Sequence, residues 1–138
     1  MRKIFFFFAI FISLHHGESF SRSLSNAAFV SAADTAKVEL IFGLRKSDHK
    51  LVSKKEWRLF VEEIITPRFP VGFTITDANG HWQEPDAIIS EPSKIFSVVC
   101  IPDDETNRKF NEIIDIYKKK FKQEAVLRID TKVNYWLK

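Results

Sequence analysis

The chain has 138 residues, 45% hydrophobic and 14% aromatic, which is the length of one domain with apolar material for a real core and excludes a chain disordered throughout. Its formal charge is +3, but Arg2, Lys3 and Arg22 against Glu18 place +2 of that in the first 33 residues, so the remainder is nearly neutral and carries no electrostatic footprint for nucleic acid. A single cysteine, Cys100, excludes an internal disulfide, and no His/Cys cluster has metal-ligand spacing, so neither a metal nor a cofactor is expected.

The chain starts with a segment unlike the rest. Arg2 and Lys3 precede an uncharged, Phe-rich run from Ile4 to Leu14, the pattern of a secretory signal. Its eleven residues rise about 16 Å as a helix against a hydrocarbon core of roughly 30 Å, too little to span a membrane. Small-residue pairs at Ser19/Ser21, Ser25/Ala27 and Ser31/Ala33 all fit a cleavage site loosely. The expected organisation is a signal peptide over 1–23, a flexible Ser/Ala-rich linker over 24–36 and a single α+β domain over 37–138. Such a protein is exported to the periplasm or the exterior and keeps no stable membrane span once the signal is removed.

Val38, Leu40 and Phe42 alternate with Lys37, Glu39 and Ile41, the period of a strand with one face in the core, and Gly43 ends it. Ser53 and Glu56 form a capping box, and Trp57, Phe60, Val61, Ile64 and Ile65 recur at helical spacing until Pro67 stops the helix. The second strand places Phe73, Ile75 and Asp77 on one face. It is expected to run on to Gln83 with a bulge at Asn79-Gly80 and to turn at Glu84-Pro85-Asp86; a hairpin turn at Asn79-Gly80 itself is the alternative. A third strand spans Ala87 to Ile101, bent near Pro92, and its apolar end reads as covered on both faces.

Asp103, Asp104 and Glu105 open a second helix and Lys118, Lys119, Lys120 and Lys122 close it, each end complementing the macrodipole. Its buried stripe is Phe110, Ile113, Ile114, Tyr117 and Phe121. The last strand runs from Ala125 through Leu127 and Ile129 and extends toward Val133 and Tyr135. The order β-α-β-β-α-β is the ferredoxin-like plait: a four-stranded antiparallel sheet, strand order 4-1-3-2, with two helices on one face. With Leu127 and Ile129 toward the helices, Arg128 lies beside Glu39 on the open side, and the two are expected to touch. The open side also carries apolar residues, so either a second copy covers it or the C-terminal stretch to Leu137 folds over it; a homodimer is preferred.

Thr66 to Trp82, TPRFPVGFTITDANGHW, is the most particular stretch. Asp77 on the core-side face suits a general acid or base, or else bonds the Asn79-Gly80 turn. Arg68, restrained between prolines, is able to present a fixed guanidinium to an anion, or pairs with Glu62, Glu63 or Asp77. His81 and Trp82 point to opposite faces, and Cys100 reads as a buried, inert thiol. Together with VELIFGL (38–44), Trp57 and Phe60, EPSK (91–94) and EAVLRI (124–129), this stretch resembles the bacterial family known as domain of unknown function 3574, from about Lys37 to the end of the chain. The resemblance implies a small exported protein and no particular activity. The family commonly has Gly-Gln-Trp where this chain has Gly80-His81-Trp82, which argues against His81 as a base and leaves Glu39, Arg68, Asp77, Trp82 and Arg128 as ligand-binding candidates. Two functions fit: a dimerising module that holds a small anionic ligand through its open sheet face and the 66–82 segment, or a cofactor-independent enzyme of proton-transfer or small-oxygenase type, with Asp77 or Glu39 as base and Arg68 as anion holder.

Overall fold

A computed structural model describes residues 35–136; the segment read as a signal peptide and the linker to residue 34 lie outside it, as does Leu137. Within the stretch read as linker, Thr35 is buried and Ala36 pairs with Cys100 and Lys132, so these two residues belong to the domain. Strands β1 (Ala36–Gly43), β2 (Thr74–Glu84), β3 (Ala87–Cys100) and β4 (Leu127–Lys132) form one antiparallel sheet in the order β2-β3-β1-β4, the expected plait order read from the other edge. Helices α1 (Lys54–Phe60) and α2 (Asp104–Phe121) cover one face. Among the described residues no helix is long and apolar enough to cross a membrane.

Helix α1 starts where its capping box predicts. Ser53 Oγ accepts the Glu56 N–H at 3.2 Å and Glu56 Oε2 accepts the Ser53 N–H at 2.8 Å, while Lys46 Nζ donates to the other carboxylate oxygen at 2.7 Å. The helix then widens by one turn over Val61–Ile65, where the Thr66 N–H bonds to the carbonyl five residues back, and Pro67 ends it. Gly72, at φ 133°, occupies backbone that a side chain rarely tolerates, and from there the chain turns into β2.

The core is aromatic. Phe42, at the end of β1, has ring centroids at 5.5 Å from Trp57, 5.9 Å from Phe60 and 4.6 Å from Tyr117. Tyr117 reaches across from α2 to donate its hydroxyl to the Gly43 carbonyl at 2.7 Å, and burial pushes that phenol well above its usual range. A side chain at Gly43 would meet the Glu91 carboxylate at 2.9 Å, so glycine there lets Glu91 approach and accept the Arg45 N–H at 2.7 Å.

Several expectations are corrected. No bulge interrupts β2 at Asn79-Gly80: Asn79 pairs with Pro92 and Gly80 with Glu91 in one unbroken register down to a two-residue turn at Pro85-Asp86. Pro92 is tolerated inside β3 because its carbonyl accepts from Leu44, just past the last β1 pair at Gly43–Ser93, so the N–H it lacks would face an edge where β1 has ended. The last strand ends at Lys132 and is turned the other way up. Arg128 pairs with the helix-facing Leu40, which puts Leu127 and Ile129 on the open side and Arg128 under α2. Nor do the described residues cover the apolar end of β3 on both sides, for Val99 is half exposed. The described part of the C-terminal stretch gives no sign of closing over that face either, since Tyr135 and Trp136 are exposed, at 46% and 72%.

The hydrogen bonds of Lys46 and Ser53 lower the Glu56 carboxyl from its ordinary 4.5 to about 2. The side chain is 39% exposed, so solvent screening limits the contribution to about 1 kcal/mol. Because the folded value lies below the unfolded one, this stability is complete above pH 4.5 and is lost as the pH falls through 2. Urea melts of Glu56→Ala should therefore show a deficit of about 1 kcal/mol at pH 7 that narrows steadily between those two values.

Candidate functional site

The five residues singled out from the sequence occupy separate places. Glu39 lies on the open face, where Lys37 Nζ at 2.7 Å and Ser97 Oγ at 2.9 Å hold its carboxyl below the ordinary range. The expected contact with Arg128 does not form, because the register of β4 puts the two on opposite faces. Arg128 instead grips both oxygens of Asp130 at 2.8 Å, donates to Asn107 Oδ1 at 2.7 Å, and lies 4.6 Å over the Phe110 ring. An arginine suits this position because its stem and flat guanidinium cover the aromatic edge of the core while its donors stay satisfied.

Arg68 is engaged as well, though not with Glu62, Glu63 or Asp77. It donates to the Ile64 carbonyl at 2.8 Å and to Glu112 Oε2 at 3.0 Å, tying the end of the first helix to α2. Trp82 stands on the open side of the β2–β3 hairpin opposite Ile89, beyond the point where β1 stops, and is 43% exposed; His81 is exposed on the other face. Asp77 does face the helix side as its alternation with Ile75 requires, but it is not buried: its side chain is 83% exposed and ion-paired to Lys94. The thiol of Cys100 is pushed up by partial burial, which keeps it a poor nucleophile. Among the described residues no group of His, Cys, Asp or Glu is placed to hold a metal ion.

The Asp77–Lys94 pair borders a cleft of ≈ 480 Å³ between the start of α1 and the base of the hairpin. Leu44, Val52, Trp57 and Pro92 give it apolar walls, and Lys54 stands at its rim. The volume is that of a small-molecule site. Eight of its ten lining residues fall within the stretches through which the sequence resembles the family, Val52 and Lys54 being the exceptions. The chain thus brings Trp57, the 66–82 stretch and the 91–94 stretch to one place.

Sequence reasoning placed Trp57 in the apolar pattern of the first helix and Lys94 in the EPSK stretch of the third strand, and it missed both as walls of one cleft. The signal for Lys94 was present: counting outward from the two-residue turn at Pro85-Asp86, seven residues from Glu84 and seven from Ala87, pairs Asp77 with Lys94. No comparable count reaches Trp57 or Val52, which meet the hairpin only through tertiary packing.

Two solved structures are similar to this chain, and the first shares its fold. A phage SAM lyase in the apo state is 11% identical with a TM-score of 0.50, covering 74% of this chain and 92% of that one. A phage SAM lyase in complex with S-methyl-5'-thioadenosine is 15% identical with a TM-score of 0.49, covering 72% of this chain and 81% of the other. At such identities the likeness is one of fold. A search of curated proteins finds no match. The sequence matches over residues 37–136 the family described as "Protein of unknown function (DUF3574)", and with the plait and the hairpin in place the chain belongs to that family.

Proposed function

We propose that this domain is an exported binding module that works as a homodimer, two copies meeting through their open sheet faces. The observation that supports it is a row of side chains across the full width of that face, Thr76–Ile95–Ile41–Leu127, flanked by the exposed Ile129 and Val99. Exposed apolar side chains gathered on one sheet face are rarely left in water. Its central charges, Lys37 and Glu39, are paired with each other, so a two-fold copy meets no unbalanced like charge.

The size is adequate. Four strands about 4.8 Å apart and the protruding hairpin arm make roughly 600 Å² in flat projection, more with side-chain relief, against about 800 Å² per partner in a standard interface. Trp82 and Ile89 extend the same face along the arm, where a large aromatic anchor suits a partner's edge. Binding is preferred to proton transfer because Glu39 is a weakened base and the Arg68 guanidinium is already engaged by Ile64 and Glu112.

Light scattering of the purified protein at tens of micromolar should give twice the mass of one chain. Leu127→Asp combined with Ile129→Asp should give one mass with the circular dichroism retained; a monomeric wild type sinks the dimer. For Arg68, Arg68→Ala should lower the unfolding free energy by about 1–3 kcal/mol in urea melts, as expected for lost charged hydrogen bonds between elements. An unchanged melt would return Arg68 to the list of residues held ready for an anion.

A further inference from the structure

Three concave regions stand out on the described surface. One, bordered by Lys37, Thr74 and Val99, belongs to the open face proposed above as an interface. Another lies at the far end of the sheet, but its carboxylates already have work: Asp103 accepts the Thr106 N–H at the start of α2, and Asp130 holds Arg128. The cleft at the base of the hairpin is different, because its polar groups are free or easily freed.

Lys54 makes no ion pair or hydrogen bond among the described residues, and it carries a positive charge to the rim. Lys94 is paired only with Asp77, a mostly exposed carboxylate, and exposed pairs of this kind contribute little. The indole N–H of Trp57 has no hydrogen-bond partner among the described residues. Trp57 is a wall of the cleft. Two ammonium groups against one carboxylate leave the cleft with one positive charge over a floor of Leu44, Val52, Trp57 and Pro92.

We infer that this cleft binds a small monocarboxylate with an apolar body, whose carboxylate takes the place of Asp77 on Lys94. The exchange replaces one carboxylate by another, so Lys94 keeps a counter-ion throughout, and the displaced Asp77 swings into water, where its exposure already places it. The apolar body lies against the indole and the aliphatic walls. Lys54 balances the added negative charge from the rim and draws the anion in. The inference deepens the binding-module reading, supplying its ligand class, and does not depend on the dimer.

The test uses phenylacetate as probe, with phenylacetamide lacking the charge and acetate lacking the apolar body. Titration of the ¹⁵N-labelled protein is followed at the Trp57 indole resonance, identified by its loss in Trp57→Phe. Phenylacetate should shift that resonance with a Kd of the order of 0.1–1 mM, the range for about ten non-hydrogen atoms, and both controls should bind at least tenfold more weakly. Asp77→Asn, a change at an exposed position, should tighten binding severalfold by freeing Lys94, whereas Lys54→Ala should weaken it about threefold. No shift with phenylacetate, or weaker binding by Asp77→Asn, overturns the inference; weaker binding in that variant would point instead to Asp77 as a direct ligand contact. Running the titration on the Leu127→Asp, Ile129→Asp variant separates the two proposals, since a monomer that binds phenylacetate leaves the cleft standing without the dimer.

Discussion

The packing of Phe42 against both helices is the constraint from which the other features follow. Phe42 is fully buried at the end of β1, and Trp57, Phe60 and Tyr117 all stack around it. Each such buried ring contributes about 1.5–3 kcal/mol from burial, with about 0.5–1.5 kcal/mol more from each well-placed aromatic pair. Because this cluster draws α1 and α2 onto the same side of β1, the opposite side of the sheet has no cover from the described chain. The hydroxyl of Tyr117 fixes the depth of α2 by ending on the Gly43 carbonyl. That same glycine admits Glu91, whose bond to the Arg45 N–H joins the start of the loop to the hairpin.

The hairpin is the second organising element. β2 and β3 pair over eleven residues of β2, whereas β1 accompanies β3 only as far as Ser93, so the distal part of the hairpin stands free as a two-stranded arm. Its base lies beside α1 and makes one wall of the cleft; its open side carries Trp82 in line with the bare sheet face. One piece of secondary structure thereby serves two surfaces, and the alternation of its side chains keeps them apart, Asp77 and Lys94 toward α1, Trp82 and Ile89 away from it.

The arginines show how a residue that looks functional in sequence becomes structural in space. Arg68 is restrained by its neighbouring prolines, and its donors end on the Ile64 carbonyl and Glu112. Arg128 interrupts an apolar alternation, and its guanidinium closes the edge of the core over Phe110 while Asn107 and Asp130 satisfy it. Both are partly buried cations, each with a carboxylate and a further acceptor, which is how a folded chain accommodates such groups. Ile64 and Asp130 are near these arginines in sequence, but Glu112, Asn107 and Phe110 all belong to α2, far along the chain from the arginine each meets, and were not accessible from spacing.

By itself the sequence determined the element order, the strand order, the capping box at Ser53, the stop at Pro67 and the acidic start and basic end of α2, because each depends on local backbone chemistry or on periodicity within one element. The Asp77–Lys94 pair follows by counting only once the unbroken register and the two-residue turn are known, and the expected bulge at Asn79-Gly80 pointed to another pairing. Only the tertiary structure decided which way up β4 lies. Alternation divides Leu127 and Ile129 from Arg128 but does not say which set meets the helices, and at a sheet edge a long cationic side chain covers the core as well as an aliphatic one. The same holds for the cleft: its walls come from a loop, a helix and a hairpin, and their meeting is set by how the aromatic cluster seats α1, an outcome of three-dimensional packing that no one-dimensional pattern encodes.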